Sequence, residues 1–304
     1  MPRWTVSDIP SQSRRSAVVT GTGGLGFEDA LVLARAGGDV IIAGRSPEKG
    51  ELAVEKIRRE VPDAKVRFEL LDLGNLQSIA NFADRLRTER QSLDLLINNA
   101  GVMTPPRRRG TSDGFELQFG TNHLGHFALT GHLLPLLKKG NSPRVVSVSS
   151  IAARDGIINF DDLEAAESYR PMAVYSQSKL ACLMFAFEFQ RRSVANGWGI
   201  ASIAAHPGVS RTELLINSAG RVSVAGLLRT FGWFLFQPVA QGALPTLYAA
   251  TSPYAEGGGY YGPDGWGEIR GYPTVVAPPE RSKDGGVAAR LWQISEQLTG
   301  VSYA

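Results

Sequence analysis

Apolar positions follow two alternating spacings along the first two thirds of the chain. Short runs rich in β-branched residues, typical of buried strands, are separated by longer segments in which apolar residues recur every three or four positions, as on one face of a helix. The predicted strands are residues 17–20, 40–44, 66–71, 93–98, 144–149 and 200–206. The predicted helices are residues 25–37, 47–60, 76–90, 113–138 and 172–194. This alternation predicts βαβ units, and therefore an α/β fold built on a parallel sheet.

A glycine-rich turn, residues 21–26, joins the first predicted strand to the first predicted helix. Glycines let the backbone turn sharply and approach a pyrophosphate closely, and the N-terminus of the next helix offers free N–H groups to an anion. A plain tight turn needs the same residues, but the position inside a βαβ unit favours a dinucleotide site. We therefore expect a Rossmann-type, doubly wound sheet. The turn residues expected to bind the cofactor are Gly21, Thr22, Gly24, Leu25 and Gly26.

The carboxyl ends of the next strands hold further candidates, because ligands of such sheets bind at this edge. The second strand ends in Gly44-Arg45-Ser46, with Lys49 one helical turn later and no carboxylate. Positive charge here favours the 2′-phosphate of NADP(H) over NAD(H), the alternative cofactor, although Arg45 could also simply cap the surface. Further candidates are Asp72, expected to face the adenine, Leu73 beside it, and Asn98, Ala100 and Gly101 at the end of the fourth strand.

The alternation of strands and helices changes after about residue 210. Residues 212–238 are helical in composition but interrupted by glycine, residues 256–279 read as loop, and residues 287–298 form an amphipathic helix. No repeat or linker interrupts the chain before residue 210. We therefore expect one domain, with a cofactor-binding part at about 14–210 and a substrate lid with a C-terminal extension at about 211–304.

Composition and charge narrow the classes of partner. With 32 basic and 29 acidic residues, the net charge of +3 gives no support to a nucleic-acid partner. The basic run 107–109 lies between prolines and a glycine, so we interpret it as a solvated loop rather than an anion site. A single cysteine, Cys182, fits a reducing compartment, and no apolar run resembles a signal peptide or a membrane span. A cytoplasmic protein with no metal site is expected.

Tyr175 and Lys179 are four residues apart in a predicted helix, so both side chains lie on one face, one turn apart. A nearby ammonium group stabilises the ionised form of a phenol, which would make Tyr175 a general acid–base. This spacing also arises by chance in surface pairs, so other residues must support it.

Two more polar residues fall in compatible places. Ser150 is expected to end the fifth strand, at the edge where ligands collect. Asn122 lies in an otherwise apolar helical stretch, where its amide needs a partner, and a structural water or a backbone carbonyl would satisfy it.

These motifs together resemble the short-chain dehydrogenase/reductase family over nearly the whole chain. The matching strings are Thr20-Gly21 to Gly26, Asn98-Asn99-Ala100-Gly101, Asn122-His-Leu-Gly-His-Phe127, Val148-Ser-Ser150, Tyr175-x-x-x-Lys179 and His206-Pro-Gly208. The string that begins at Asn122, with residues 174–180, is most similar to the branch of retinol dehydrogenases and protochlorophyllide reductases. Residues 4–10 resemble soluble bacterial members of that branch.

The resemblance implies a catalytic tetrad of Asn122, Ser150, Tyr175 and Lys179. Ser150 would hold the substrate oxygen, Tyr175 would transfer the proton, Lys179 would bind the nicotinamide ribose and favour the phenolate, and Asn122 would hold a relay water. The resemblance also implies that Pro207, Gly208 and Thr212 flank the nicotinamide and the pyrophosphate. The cofactor itself carries out hydride transfer.

The glycine turn departs from the family, which usually has three residues between the first Thr-Gly and the Gly-x-Gly. Only Thr22 and Gly23 lie there in this chain, and the turn contains no basic side chain. A non-catalytic NADP-binding sensor or scaffold is therefore a second hypothesis, although such a protein needs no tuned phenol. An NADP-dependent epimerase or dehydratase is third, since the C-terminal region leaves little room for a nucleotide-sugar domain.

The aromatic and glycine-rich residues 227–236 predict a lid over an apolar carbonyl or alcohol. An interface in a homodimer or homotetramer, or plain core packing, explains them equally well. Steroid, terpenoid, retinoid and aryl ketone substrates are all compatible with this stretch.

Overall fold

The computed structural model of the protein describes residues 3–210 and 237–303 and contains one eight-stranded sheet. The strands are β1 (Ser16–Thr20), β2 (Asp39–Gly44), β3 (Val66–Leu70), β4 (Leu95–Asn98), β5 (Arg144–Val148), β6 (Ala201–Ala205), β7 (Tyr260–Pro263) and β8 (Pro273–Val275). Their order is β3-β2-β1-β4-β5-β6-β7-β8, and only β7 and β8 pair antiparallel. The strand order reverses between β1 and β4, which opens a crevice at the carboxyl edge. The predicted Rossmann-type fold is confirmed.

The described helices cover both faces of the sheet. They are α1 (Gly24–Arg35), α2 (Pro47–Glu60), α3 (Leu76–Glu89), α4 (Gly125–Leu137), α5 (Pro171–Ala195), α6 (Val239–Thr251) and α7 (Gly285–Thr299). Ser46 caps α2 by accepting a hydrogen bond from the backbone of Lys49, and Pro47 occupies the first helical position, as its sequence suggests. Among the helices of the described ranges, none has the length and apolarity that a membrane crossing needs.

Successive side chains of the central strands pack into two separate hydrophobic cores, one on each face of the sheet. Val19 and Val146 pack with α1, α2 and α6 on one face of the sheet. Val18 and Val145 pack with α3, α4 and α5 on the other. Strand side chains point to opposite faces in turn, so both faces of the central strands are buried and their sequences are almost wholly apolar.

The C-terminal part contributes to both the sheet and the core. Residues 256–279 were predicted to be loop, but they contain β7 and β8, and β7 continues the parallel sheet next to β6. That prediction is wrong because two tyrosines, both buried, supply the strand among many glycines and prolines. Helix α6 was not predicted either. Trp292 of α7 stacks on Phe185, with ring centroids 5.7 Å apart, and so closes the second core.

The predicted helix 113–138 is interrupted in the structure. Helical residues begin at Leu117, and a π-helical turn, Gly120–Leu124, precedes α4. In this turn the backbone N–H of Gly125 bonds to the carbonyl of Gly120, five residues back. Such a turn inserts one extra residue and is often found at functional sites. The sequence gives no signal of its position except the amide of Asn122 within it.

Candidate active site

A cleft of about 620 Å³ follows the carboxyl edge of the sheet from the end of β2 to helix α5. The predicted residues that line it are Gly21, Thr22, Gly24, Leu25, Arg45, Asp72, Leu73, Ala100, Gly101, Ser150, Tyr175, Lys179, Pro207 and Gly208. The structure therefore brings most of the predicted cofactor-binding and catalytic residues together in one place. Three predicted residues, Gly26, Asn98 and Asn122, are not on the cleft surface, and Thr212 lies outside the described residues, as does the predicted lid.

The glycine turn forms a cradle even though it is one residue short. Gly21 and Gly24 have φ values of +102° and +54°, which a residue with a side chain rarely adopts. A side chain on Gly26 would lie 2.5 Å from the carbonyl oxygen of Gly21, so this glycine allows the helix to pack against the turn. Gly23 caps α1 without a side chain, which leaves the first N–H groups of the helix unblocked by a side-chain cap. This geometry fits a pyrophosphate.

The far end of the cleft is basic. Arg45, Ser46 and Lys49 line it beside Thr22, and no carboxylate ends β2. Asp72 also lines this end, and its Oδ1 accepts a hydrogen bond from the backbone of Gly74 at 2.9 Å. The charge arrangement is therefore the one expected for a site that receives a phosphate group.

Asn98 was predicted to bind the cofactor, but its side chain does not line the cleft. As the last residue of β4 it faces helix α4, where its Nδ2 donates to Thr130 Oγ1 at 3.0 Å. The next residue, Asn99, points the other way and lines the cleft, and its Nδ2 donates to the carbonyl of Thr20 at 2.8 Å. Because strand side chains alternate, only one of two neighbouring asparagines can reach the cleft.

Helix α5 presents Tyr175 and Lys179 to the cleft. Lys179 is only 5% exposed, and its Nζ lies 6.0 Å from the centroid of the Tyr175 ring and donates to the carbonyl of Val148 at 2.9 Å. The hydroxyl of Ser149 donates to the carbonyl of Lys179 at 2.8 Å, which holds α5 against the end of β5. The ammonium group is thus fixed beside the phenol at the edge of the sheet.

Ser150 lies two residues beyond β5, which ends at Val148, rather than ending the strand as predicted. It caps the short 3₁₀ helix Ile151–Asp155, and its Oγ accepts a hydrogen bond from the backbone of Ala152 at 3.2 Å. The hydroxyl still lines the cleft together with Tyr175 and Lys179.

Asn122 is completely buried in the π-helical turn, and its side chain has protein partners. Its Nδ2 donates to the carbonyl of Val102 and to Ser178 Oγ, both at 2.9 Å, and its Oδ1 accepts from the backbone of Val102 at 2.7 Å. A side chain added to Gly101 would lie 3.1 Å from Asn122 Oδ1 and 3.6 Å from Lys179 Nζ. Asn122 therefore links the loop after β4 to helix α5, next to the lysine.

A second residue of the same string, His126, was missed as a site residue. Its Nδ1 lies 2.9 Å from the backbone oxygen of Asn122, and its Nε2 lies 2.9 Å from Thr20 Oγ1. That hydroxyl accepts the backbone N–H groups of Asn99 and Ala100, both at 2.9 Å. Burial lowers the pKa of His126 to about 4, so the ring is neutral and carries its proton on Nδ1. The only sequence signal was a histidine one turn after Asn122.

Four further apolar side chains line the same cleft as Tyr175 and were not predicted as site residues. They are Met103, Ile151, Met172 and Val209. The predicted lid lies outside the described residues, so these four side chains are part of the apolar lining that the structure describes in the cleft.

Comparisons with known proteins show the family and the fold. The family described as short chain dehydrogenase matches residues 15–221. Human polyprenol dehydrogenase is 42% identical over 259 residues, which are 83% of this chain and 78% of that protein. Human retinol dehydrogenase 13 is 41% identical over 292 residues, which are 94% of this chain and 85% of that protein.

Solved structures show the same architecture. An uncharacterised protein from Mycobacterium paratuberculosis superposes with a TM-score of 0.82 at 40% identity and covers 99% of both chains. A short-chain dehydrogenase from Shigella flexneri, solved in complex with NADP, has a TM-score of 0.63 at 22% identity over 83% of this chain and 97% of that chain. At that identity the second structure supports the fold alone.

Proposed function

Because this chain belongs to the short-chain dehydrogenase family, we propose that it is an NADP(H)-dependent oxidoreductase that interconverts an apolar alcohol and its carbonyl compound. The observation that carries the proposal is the arrangement of Tyr175, Lys179 and Ser150 around one cleft that also contains the glycine cradle. A protein that only sensed the nucleotide would not need a phenol and a buried ammonium group at this position.

The cofactor would lie along the cleft, where it would supply or accept the hydride. The first turn of α1 and the glycines before it would bind the pyrophosphate, since their N–H groups and the helix dipole favour an anion. Arg45 and Lys49 would bind the 2′-phosphate at the basic end, and Asp72 would lie near the adenine. Asn99, Ala100, Gly101, Pro207 and Gly208 would form the walls on either side.

Proton transfer belongs to the chain itself. Ser150 would donate a hydrogen bond to the substrate oxygen and orient it towards Tyr175. Tyr175 would give its hydroxyl proton to that oxygen during reduction and take it back during oxidation. Lys179 would stabilise the phenolate and bind the ribose hydroxyls. Asn122 would keep the lysine environment fixed through its bonds to Val102 and Ser178.

We propose an isoprenoid alcohol or aldehyde as the substrate class to test first. Two relatives at 40% identity or above are named for polyprenol and retinol, and both of those compounds are long apolar alcohols. The methionine, isoleucine and valine side chains that line the same cleft as Tyr175 are compatible with such a chain.

Replacing Tyr175 by Phe tests the proposed chemistry. The variant should bind NADPH as the wild type does, because the ring stays in place, but turnover should fall by a factor of about 10² to 10⁴. Tyr254→Phe is the matched control, since Tyr254 is 79% exposed and its change should leave turnover intact. Turnover of an isoprenoid alcohol with NADP should be followed by absorbance, with binding measured by fluorescence. If Tyr175→Phe keeps its turnover, the proposed proton donor is wrong.

Arg45→Asp tests the cofactor preference. A carboxylate at the end of β2 repels a 2′-phosphate and accepts hydrogen bonds from the ribose hydroxyls. The ratio of NADPH to NADH affinity should therefore fall by roughly a factor of 10 to 100, consistent with the loss of a charge-assisted contact. Arg107→Asp, a change in a separate basic loop, is the control. An unchanged ratio would mean that the phosphate is bound by other residues.

A further inference from the structure

His206 directly follows strand β6 and is completely buried. The loop that follows it, residues 207–210, lines the cleft, and we call it the cofactor loop. The Nδ1 of His206 accepts a hydrogen bond from the backbone N–H of Gly208 at 3.2 Å. Because Gly208 has a φ of +63°, the loop turns sharply at the point where this bond forms.

The other ring nitrogen of His206 points towards the C-terminal part of the chain. Its Nε2 lies 2.8 Å from Glu268 Oε2, and the same oxygen lies 2.6 Å from a guanidinium nitrogen of Arg154. Arg154 belongs to the 3₁₀ helix that Ser150 caps. One carboxylate therefore connects the cofactor loop to the segment that carries Ser150.

The backbone around Glu268 is strained, and neighbouring bonds hold it against the cofactor loop. Glu268 has a φ of +58°, although it has a side chain. The carbonyl of the next residue, Ile269, accepts the backbone N–H of Val209 at 2.8 Å, so the two loops are also paired through their main chains. A left-handed conformation of this kind is unfavourable for a residue with a side chain and persists where surrounding contacts fix it.

The two hydrogen bonds of the His206 ring, to Gly208 and to Glu268, determine which ring nitrogen carries the proton. Since Nδ1 is an acceptor, the proton must be on Nε2, which donates to Glu268. Burial lowers the pKa of His206, while the hydrogen bond to Glu268 opposes this shift and Arg154 adds to it. The neighbouring strand contributes Tyr260, whose ring centroid lies 5.3 Å from that of His206 and whose pKa is raised by burial. A second proton, on Nδ1, would face the N–H of Gly208 and break the bond that shapes the loop.

We propose that His206 is a positioning residue that holds the cofactor loop in its binding conformation, with Glu268 and Arg154 keeping the ring in place, so that protonation of His206 weakens cofactor binding. The proposal rests on the proposed function, because it assumes that a nicotinamide cofactor binds in the cleft.

Two substitutions of His206 separate the roles of its two nitrogens. An asparagine places its oxygen near the former Nδ1, and a glutamine places its amide near the former Nε2. His206→Asn therefore keeps the acceptor for Gly208, and its dissociation constant for NADPH should stay within about threefold of the wild type. His206→Gln keeps only the donor for Glu268, so the constant should rise roughly tenfold, as expected when a backbone N–H loses its partner.

Replacing Glu268 tests the pH dependence of NADPH binding, which would not change if His206 had a purely structural role. In the wild type, the NADPH dissociation constant should rise as the pH falls through the pKa of His206. Glu268→Gln removes the charge that favours the protonated ring, so this rise should move to lower pH by of order one unit. Glu280→Gln is the matched control, because Glu280 also lies in a short 3₁₀ helix and pairs with a lysine, Lys283. His206→Asn should lack the His206 component of the rise altogether.

NADPH fluorescence titrations at several pH values, run on all five proteins, distinguish the outcomes. The 2′-phosphate of NADPH also titrates in this range, but it affects binding to all five proteins alike and so does not affect the differences between them. If the wild type binds NADPH but His206→Gln binds equally well, or Glu268→Gln shows the wild-type pH profile, His206 does not position the loop and only this inference fails. If the wild type binds neither NADPH nor NADH, the proposed function itself fails and this inference with it.

Discussion

The two walls of the cleft are held by different kinds of interaction. The helical wall is formed by the π-helical turn and α5, and the hydrogen bonds that support it through Asn122 and His126 are buried and uncharged. The C-terminal wall is the cofactor loop, residues 207–210, and the carboxylate of Glu268 links the loop, through His206, to Arg154. The side chains of Glu268 and Arg154 are 24% and 41% exposed, so water and salt reach this link.

This difference has consequences for how each wall responds to change. A buried hydrogen bond is costly to break, because the group left behind loses its partner without gaining water. An exposed ion pair contributes about 0–1 kcal/mol and is screened by salt. The helical wall, which carries the proton-transferring residues, is therefore rigid, and the C-terminal wall, which is the cofactor loop, is the one that pH and ionic strength can alter.

Lys179→Met should have the largest effect and act on the helical wall. Methionine fills nearly the same space but removes the buried ammonium group beside Tyr175 and its bond to the carbonyl of Val148. Turnover should fall at least about a hundredfold, as is typical when a group that stabilises charge in the transition state is lost. Lys283→Met, at an exposed lysine, is the control and should keep wild-type turnover in the same steady-state assay. Comparable turnover in both variants would remove Lys179 from the mechanism.

Local patterns were enough to predict the main sheet and most of the cleft. The central strands β1, β2, β4, β5 and β6 are almost wholly buried and mostly apolar, and the glycine turn and the Tyr175–Lys179 pair are defined by short spacings. These features depend on contacts between neighbours in sequence or on one strand edge. That is why they could be identified before the structure was known.

The parts that were missed depend on distant partners. β7 is a strand because Tyr260 and Tyr261 pair with the end of β6, although the surrounding glycines and prolines favour loop. Glu268 is more than a hundred residues from Arg154, and nothing in the spacing connects them. The choice of Asn99 over Asn98 depended on where β4 ends. Such contacts are set by the fold as a whole, and a single sequence does not encode them in a local pattern.

His126→Leu should weaken the contacts that support the helical wall. The expected effect is of intermediate size and is on the free energy of unfolding. The variant loses the bonds to the Asn122 carbonyl and to Thr20 Oγ1, so the free energy of unfolding should fall by about 2 kcal/mol. His132→Leu is the matched control, since His132 lies on the same helix but is only half-buried. Urea denaturation at pH 7.5 measures both. Equal stability of the two variants would show that His126 does not link the wall.

The same variant should change how stability depends on pH. Burial lowers the pKa of His126 to about 4, whereas an unfolded histidine titrates at about 6.5. Between these values only the unfolded chain binds the proton, so this contribution is complete above pH 6.5 and is lost as the pH falls towards 4. In His126→Leu the slope of the free energy of unfolding against pH should be smaller in this window by up to about 1.4 kcal/mol per unit. The buried His123, whose pKa is lowered to about 3, keeps its share of the slope.

Arg154→Met should have the smallest effect and tests the other wall. The variant removes the exposed half of the Glu268 link but leaves the bond between Glu268 and His206, so the free energy of unfolding should change by less than about 1 kcal/mol. The dissociation constant for NADPH should rise no more than about threefold at low salt, and about 1 M NaCl should erase the difference from the wild type, because salt screens this pair. His126→Leu should keep its stability difference at the same salt concentration, since its lost bonds are buried and neutral. Arg154→Met could instead lower the free energy of unfolding as much as His126→Leu and be equally insensitive to salt. The Glu268 link would then be as rigid as the buried bonds across the cleft, and the two walls would not differ in kind.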